Sequence, residues 1–422
     1  VFSFRRRVRR DLRAAPKGRV RVPVPELPKI VSVDDHVVEP SSVWTDRLPN
    51  RYRHVGPRVE RHPLGEMTFR GGKFAFRPGN EGPPCDWWHY EDLLVPHTRL
   101  TAAAGFPREE VTVAAITYDE MRPGCYEPSA RLGDMDSAWI EASLCFPSFP
   151  RFCGQTFLEA KDKDLALLCV RAYNDWMVEE WCGGSGGRLV PLTIVPLWDP
   201  RLAAAEVLRN ARRGVRAVCF SEVPPFLGLP SVHDEEHHWD PLWAACAETG
   251  TVVNMHIGSG SKMPSTSADA PAAVGSTLTS VNTILSLTDW LLSGIFVRFP
   301  QLKVAYSEGQ IGWIPYFLER ADHVWETNRA WGDVGASVPN PPSSYYRSNV
   351  HGCFFSDRFG LENLEAVGED NVMFECDYPH SDSSWPDTRA VAEKQTESLS
   401  PGQVRKVLRA NAIALYQLEL TP

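Results

Sequence analysis

Residues 29–40, KIVSVDDHVVEP, decide the fold. The first half is an apolar, β-branched run that reads as a buried strand, yet it runs into Asp34, Asp35 and His36, with Glu39 just beyond. A buried carboxylate without a partner is costly, so the cluster must meet a cation or lie at a strand end open to a cleft.

Seven further runs of strand length follow: WIEASLCFP (139–147), RLVPLTIVPL (188–197), VRAVCFSE (215–222), TVVNMHIG (251–258), LKVAYSEG (302–309), VHGCFFSD (350–357) and NVMFECDYP (371–379). Amphipathic stretches separate them, with helices expected over 155–182, over 199–213 behind the start signal Asp199-Pro200, and over 311–327. Eight strands with crossover helices define an α/β chain, a (β/α)8 TIM barrel spanning 29–418. Strand one is separated from strand two by about a hundred residues. Residues 50–130 are thus a long insertion, expected as a lid, with a hairpin at MTFRGGKFAFRPG (67–79) and an aromatic, proline-rich loop at GPPCDWWHYEDLLVPH (82–97).

The 422 residues, 43% hydrophobic and 23% charged, suffice for a large core, and the net charge of −9 argues against nucleic acid or an anionic membrane as partner. A small-molecule substrate is expected. The ten cysteines show no C-x-x-C spacing and sit in apolar patterns, which suggests buried, reduced thiols in a cytoplasmic protein. No run of 18 apolar residues calls for a membrane span. Residues 1–28 are basic and then proline-punctuated, and read as a flexible arm.

In such a barrel, chemistry sits at the C-terminal strand ends. Those ends carry Asp34, His36 and Glu39 (strand one), Glu222 (strand four), His256 (strand five), Glu308 (strand six), and Asp377 followed by His380 (strand eight). Alone, His256 reads as an ordinary core histidine and CDYP as an Asx turn; convergence on one mouth makes a metal site. Arg151 in FPSFPRFCGQ could pair with a substrate carboxylate or make a salt bridge to the lid. Trp87, Trp88, Tyr90, Phe146 and Phe149 could line a pocket for a ring or simply fill core. Phosphate-loop, nucleophile-elbow and dinucleotide motifs are absent.

The stretches VDDHVVEP, NMHIG, FPQLKVAYSEGQIGW and MFECDYPHSDSSWP resemble the amidohydrolase superfamily, in the branch of the aminocarboxymuconate semialdehyde and resorcylate decarboxylases. The resemblance implies metal ligation by Asp34, His36, His256 and Asp377. It also marks departures: Asp34 stands where relatives have His or Glu, Glu39 where they have an apolar residue, and Glu308 where they have a His that binds metal or moves protons. The set Asp34, His36, Glu39, His256, Glu308, Asp377 and His380 suits two divalent ions, iron or manganese, with Glu39 or Asp377 as a bridge. The expectation is therefore a dinuclear oxygenase using O2. The alternative is a hydrolase or non-oxidative decarboxylase with one zinc, Asp377 acting as base, and a third reading is an inactive structural subunit. Family members are commonly dimers, so a homo-oligomer is implied.

Overall fold

The computed structural model describes residues 27–71 and 73–420. All eight expected strands form. In chain order they are β1 (Ile30–Val37), then after the insertion β6 (Ile140–Pro147), β7 (Leu189–Val190) with β8 (Leu192–Thr193), β9 (Ala217–Phe220), β10 (Val252–His256), β11 (Val304–Ser307), β12 (Val350–Phe354) and β13 (Val372–Phe374). Every pairing among them is parallel, in the order β1-β6-β7 and β8-β9-β10-β11-β12-β13. The run expected as one third strand is two short pieces. Pro191 lies between them and has no N–H for a ladder; β7 pairs with β6 and β8 with β9 across that break. The ring closes beyond the end of β13, where the Asp377 N–H donates to the Asp34 carbonyl (2.8 Å) and the His36 N–H to the Tyr378 carbonyl (2.6 Å). The chain is a TIM barrel.

Parallel strands covered by helices are buried on both faces, which is why β1 and β10 are buried throughout. The helix expected over 155–182 is interrupted. It forms as Gln155–Glu159 and Lys163–Trp176, the latter continuing through a π turn to Trp181. Asp162 causes the restart by accepting from the N–H groups of Asp164 and Leu165. Asp199 caps the helix Pro200–Ala211 in the same way, and the third helix runs Ile314–Thr327.

The insertion is a four-stranded antiparallel sheet in the order β3-β2-β4-β5, made of β2 (Arg58–Arg70), β3 (Lys73–Pro78), β4 (Pro84–Tyr90) and β5 (Leu93–Pro96). The hairpin at 67–79 forms as expected, with Arg70 opposite Lys73. The segment 82–97 is a second hairpin rather than a loop, because Trp87, Trp88 and Tyr90 are buried and their backbone groups need ladder partners. Trp88 stacks on Phe149 (ring centroids 4.4 Å) and meets Trp44 edge-on (5.1 Å). Trp88 and Tyr90 are core between sheet and barrel, whereas Trp87 packs on the other face with Cys85 and Ala115.

Of the expected arm over 1–28, residues 1–26 lie outside the described residues. Leu27 and Pro28 are docked, their carbonyls each accepting the Trp139 indole N–H at 3.2 Å. All ten cysteines are buried and unpaired. No helix among the described residues is long and apolar enough to cross a membrane.

Candidate metal centre

Alternation along β1 turns Asp34 and His36 toward the barrel axis and Asp35 outward, where it accepts from Ser143 and from the Tyr378 N–H (2.9 Å). His256 is the last residue of β10, and its register partner on β11 is Ser307, so Glu308 emerges one step higher at the same mouth. Asp377 follows β13, and His380 comes three residues later. Both Glu308 (φ +57°) and Asp377 (φ +61°) have left-handed backbone, uncommon for residues with a side chain and often found at functional sites.

The structure brings six of the seven expected ligands together. Nε2 of His36 lies 3.2 Å from Asp377 Oδ1, 3.6 Å from Asp34 Oδ1 and 3.2 Å from His256 Nε2. Nε2 of His256 is 3.5 Å from both Asp34 Oδ2 and Glu308 Oε1, and His380 Nδ1 is 3.2 Å from Asp377 Oδ1. Ligand bonds of about 2.0–2.2 Å in a tetrahedron put ligand atoms roughly 3.3–3.6 Å apart, the spacing seen here. The six divide into two overlapping groups, Asp34/His36/His256/Glu308 and His36/Glu308/Asp377/His380.

Electrostatics point the same way. Both carboxylate oxygens of Asp34 and of Asp377 are buried with no hydrogen-bond donor. Burial, together with the charges of Glu375, Glu308 and Asp377, pushes the Asp34 pKa well up. Burial and the neighbouring His380 and His256 hold His36 well below its ordinary value, so it is a neutral imidazole. Burial lowers His256 too, but the Glu308 carboxylate, the hydrogen bond to the Ile257 carbonyl and the Asp377 charge together outweigh it, and its net shift is upward. The His256 Nδ1–H donates to the Ile257 carbonyl (2.6 Å), which leaves the Nε2 lone pair facing the cluster. A buried nest of acids and imidazoles without donors fits a divalent cation.

Two expectations are corrected. Glu39 is buried but stands apart: its oxygens accept the backbone N–H groups of Ser148 and Phe149, each at 2.9 Å, and burial raises its pKa to about 7. It secures the turn after β6 and presents no free carboxylate edge to bridge ions. Arg151 is likewise engaged, by Glu159 (2.8 Å) and the Ser261 hydroxyl, so its salt bridge is to a neighbouring helix and not to the insertion. Glu222 also stays outside the cluster, accepting from the Gly258 N–H (2.9 Å) and Asn282 (3.2 Å).

Three participants escape a reading of strand ends. Glu375 is fully buried, accepts the Glu308 backbone N–H (3.0 Å) and the Cys353 thiol, and burial raises its pKa to about 8. Its position two residues before Asp377, on the same inward face, is the signal that could have found it. Arg131, buried, donates to the carbonyls of His36 (2.5 Å) and Gly124 (2.8 Å), tying the end of β1. Phe152 lies flat on His256, with ring centroids 4.0 Å apart and planes 5° from parallel.

The chain is a TIM barrel with a candidate metal site at its strand ends, and the family follows from the matches. The amidohydrolase family profile matches residues 85–418, and the chain belongs to that family. Among solved structures it is similar to an amidohydrolase from Mycobacterium avium subsp. paratuberculosis (22% identity over 92% of this chain and 99% of that one, TM-score 0.64). It is also similar to 5-carboxyvanillate decarboxylase from Novosphingobium aromaticivorans, complexed with manganese and 4-hydroxy-3-methoxy-5-nitrobenzoic acid (20%, 76% and 86%, TM-score 0.55). A third is 2,6-dihydroxybenzoate decarboxylase from Rhizobium (16%, 92% and 99%, TM-score 0.57). Family and fold are those expected from the motifs.

Proposed function

We propose that this chain is a divalent-metal-dependent enzyme that removes the carboxyl group of a small aromatic acid without an oxidant. The observation that carries the reading is the set of four donor-less, buried carboxylate oxygens on Asp34 and Asp377, facing three imidazoles. The similarity to hydroxybenzoate decarboxylases, one of them holding manganese, supports this chemistry over oxygenation.

In the simplest assignment Asp34, His36, His256 and Glu308 hold one ion, manganese or zinc. A bound divalent ion would act as a Lewis acid toward substrate oxygens. The side chains of Glu308 and His380 are each 15% exposed while the other four are at most 1% exposed, so substrate enters on their side. Phe152, half-buried against His256, offers an aromatic wall for the ring. Decarboxylation needs one proton delivered to the ring carbon as the carbon–carboxylate bond breaks and CO2 leaves. We assign that delivery to His380, whose Nδ1 lies 3.2 Å from Asp377 Oδ1 and whose side chain is 15% exposed.

A second reading keeps two iron or manganese ions and O2 chemistry. It is favoured by the two overlapping ligand groups, with Glu308, common to both, as the carboxylate able to bridge. Metal counting on protein purified without added metal, combined with CO2 release and O2 uptake on hydroxybenzoates, separates the readings. About one ion and CO2 release without O2 uptake is expected. Two ions with O2 uptake would replace the decarboxylase by the oxygenase, and protein that binds no ion would sink both in favour of an inactive subunit.

A further inference from the structure

The outward face of the insertion carries a second set of ligand-type side chains that the barrel chemistry does not use. Glu60 and His62 lie two apart on β2, and the register of β2 with β4 sets Arg58 opposite His89. All four share one face of the sheet, while Trp88 on the other face packs against Phe149 and Trp44 of the barrel. Glu60 Oε2 is 3.3 Å from His62 Nε2 and 3.8 Å from His89 Nε2, and the two imidazoles are 5.4 Å apart between ring centroids. All three ligand atoms lie within 4.8 Å of one another.

From this geometry we infer that Glu60, His62 and His89 form a second metal site that takes a borderline divalent transition ion, Zn2+ or a close relative, clipping β2 to β4. The edges of a tetrahedral zinc site are roughly 3.3–3.6 Å, and a small side-chain rotation brings His89 to that distance. The Nε2 of His89 is buried and has no hydrogen-bond partner, so it is a donor atom in search of one. Arg58 donates to the other oxygen of Glu60 (2.8 Å), which fixes the carboxylate and leaves Oε2 for the ion. His62 and Glu60 are 42% and 40% exposed, so an ion can enter and water can complete the shell. Two imidazoles and one carboxylate select zinc-like ions over manganese, unlike the carboxylate-rich barrel centre.

The test uses the tag-free full chain, stripped with chelator and dialysed against micromolar free Zn2+, beside His62→Ala/His89→Ala and the single exposed change His62→Gln. Ions held by the barrel cancel in the difference. The wild type is expected to bind one more Zn2+ per chain than either variant and to show a larger rise in Tm on adding Zn2+, with the variants' activity unchanged. Equal stoichiometry in all three proteins, or an extra ion in the wild type only at millimolar Zn2+, overturns the inference. His62→Gln, altering an exposed side chain, keeps the comparison valid if the double variant fails to fold.

Discussion

Replacing Asp34 by Asn should reverse the stability order of the protein according to whether metal is present. Asp34 is 0% exposed, both its oxygens lack donors, and Glu375, Glu308 and Asp377 surround it with like charge. In metal-free protein that charge costs several kcal/mol, whereas an amide of the same shape costs about 1–3 kcal/mol at most and can donate to the neighbouring carboxylates. The expected net effect is a stabilisation of about 1–3 kcal/mol, read as a Tm higher by about 1–2 °C per kcal/mol for a chain of this length. With metal the sign changes. Ligand at a thousandfold excess over its Kd stabilises the wild type by about 4.1 kcal/mol, and the variant, lacking one anionic ligand, gains little of this. Thermal unfolding by circular dichroism, in chelator and in Mn2+, measures both orders with the same two proteins. If Asp34→Asn is less stable than wild type by the same margin in both conditions, Asp34 is not an uncompensated charge awaiting a cation.

The acids give the metal-free protein a characteristic pH dependence. Burial raises Glu39 and Glu222 to about 7 and Glu375 to about 8, so the folded state holds more protons than the unfolded one and stability falls as pH rises through these values. Below the ordinary histidine pKa the depressed His36, His97 and His351 act oppositely; the clean window is therefore about pH 6.5–8, where a loss on the order of 2–3 kcal/mol should appear in urea titrations and flat stability would contradict the burial argument. Glu39→Gln should leave metal stoichiometry unchanged while costing about 1–3 kcal/mol, because one backbone N–H then faces an amide; loss of an ion on elemental analysis would restore Glu39 as a ligand. Glu375→Ala removes the acceptor for the Glu308 N–H, and a weakened Mn2+ affinity by calorimetry is expected, with Glu375→Gln recovering part of it. Equal affinity in all three proteins would mean that Glu308 is not positioned through Glu375.

Much of this was readable from local pattern. Apolar runs of strand length separated by amphipathic stretches dictate β/α units, and period-two alternation sends Asp34 and His36 to one side of β1 whatever the distant sequence does. Knowing that barrel chemistry gathers at strand ends then suffices to pick out His256, Glu308, Asp377 and His380. The same logic misjudged residues whose partners lie elsewhere. Glu39 looks like a fourth acid of the same cluster until the turn after β6 takes both its oxygens, and the segment 82–97 looks like a loop until β2 supplies its ladder.

By itself, then, the sequence determined the class of fold, the insertion and the identity of six converging side chains, because these follow from periodicity and chain order. Only the tertiary structure decided which acids remain without donors, that Arg151 is already paired, that Glu375 lies beneath Glu308, and that Glu60, His62 and His89 meet. Those facts depend on hydrogen-bond partners from distant segments, and no local pattern in the chain encodes which of two buried carboxylates will find a donor.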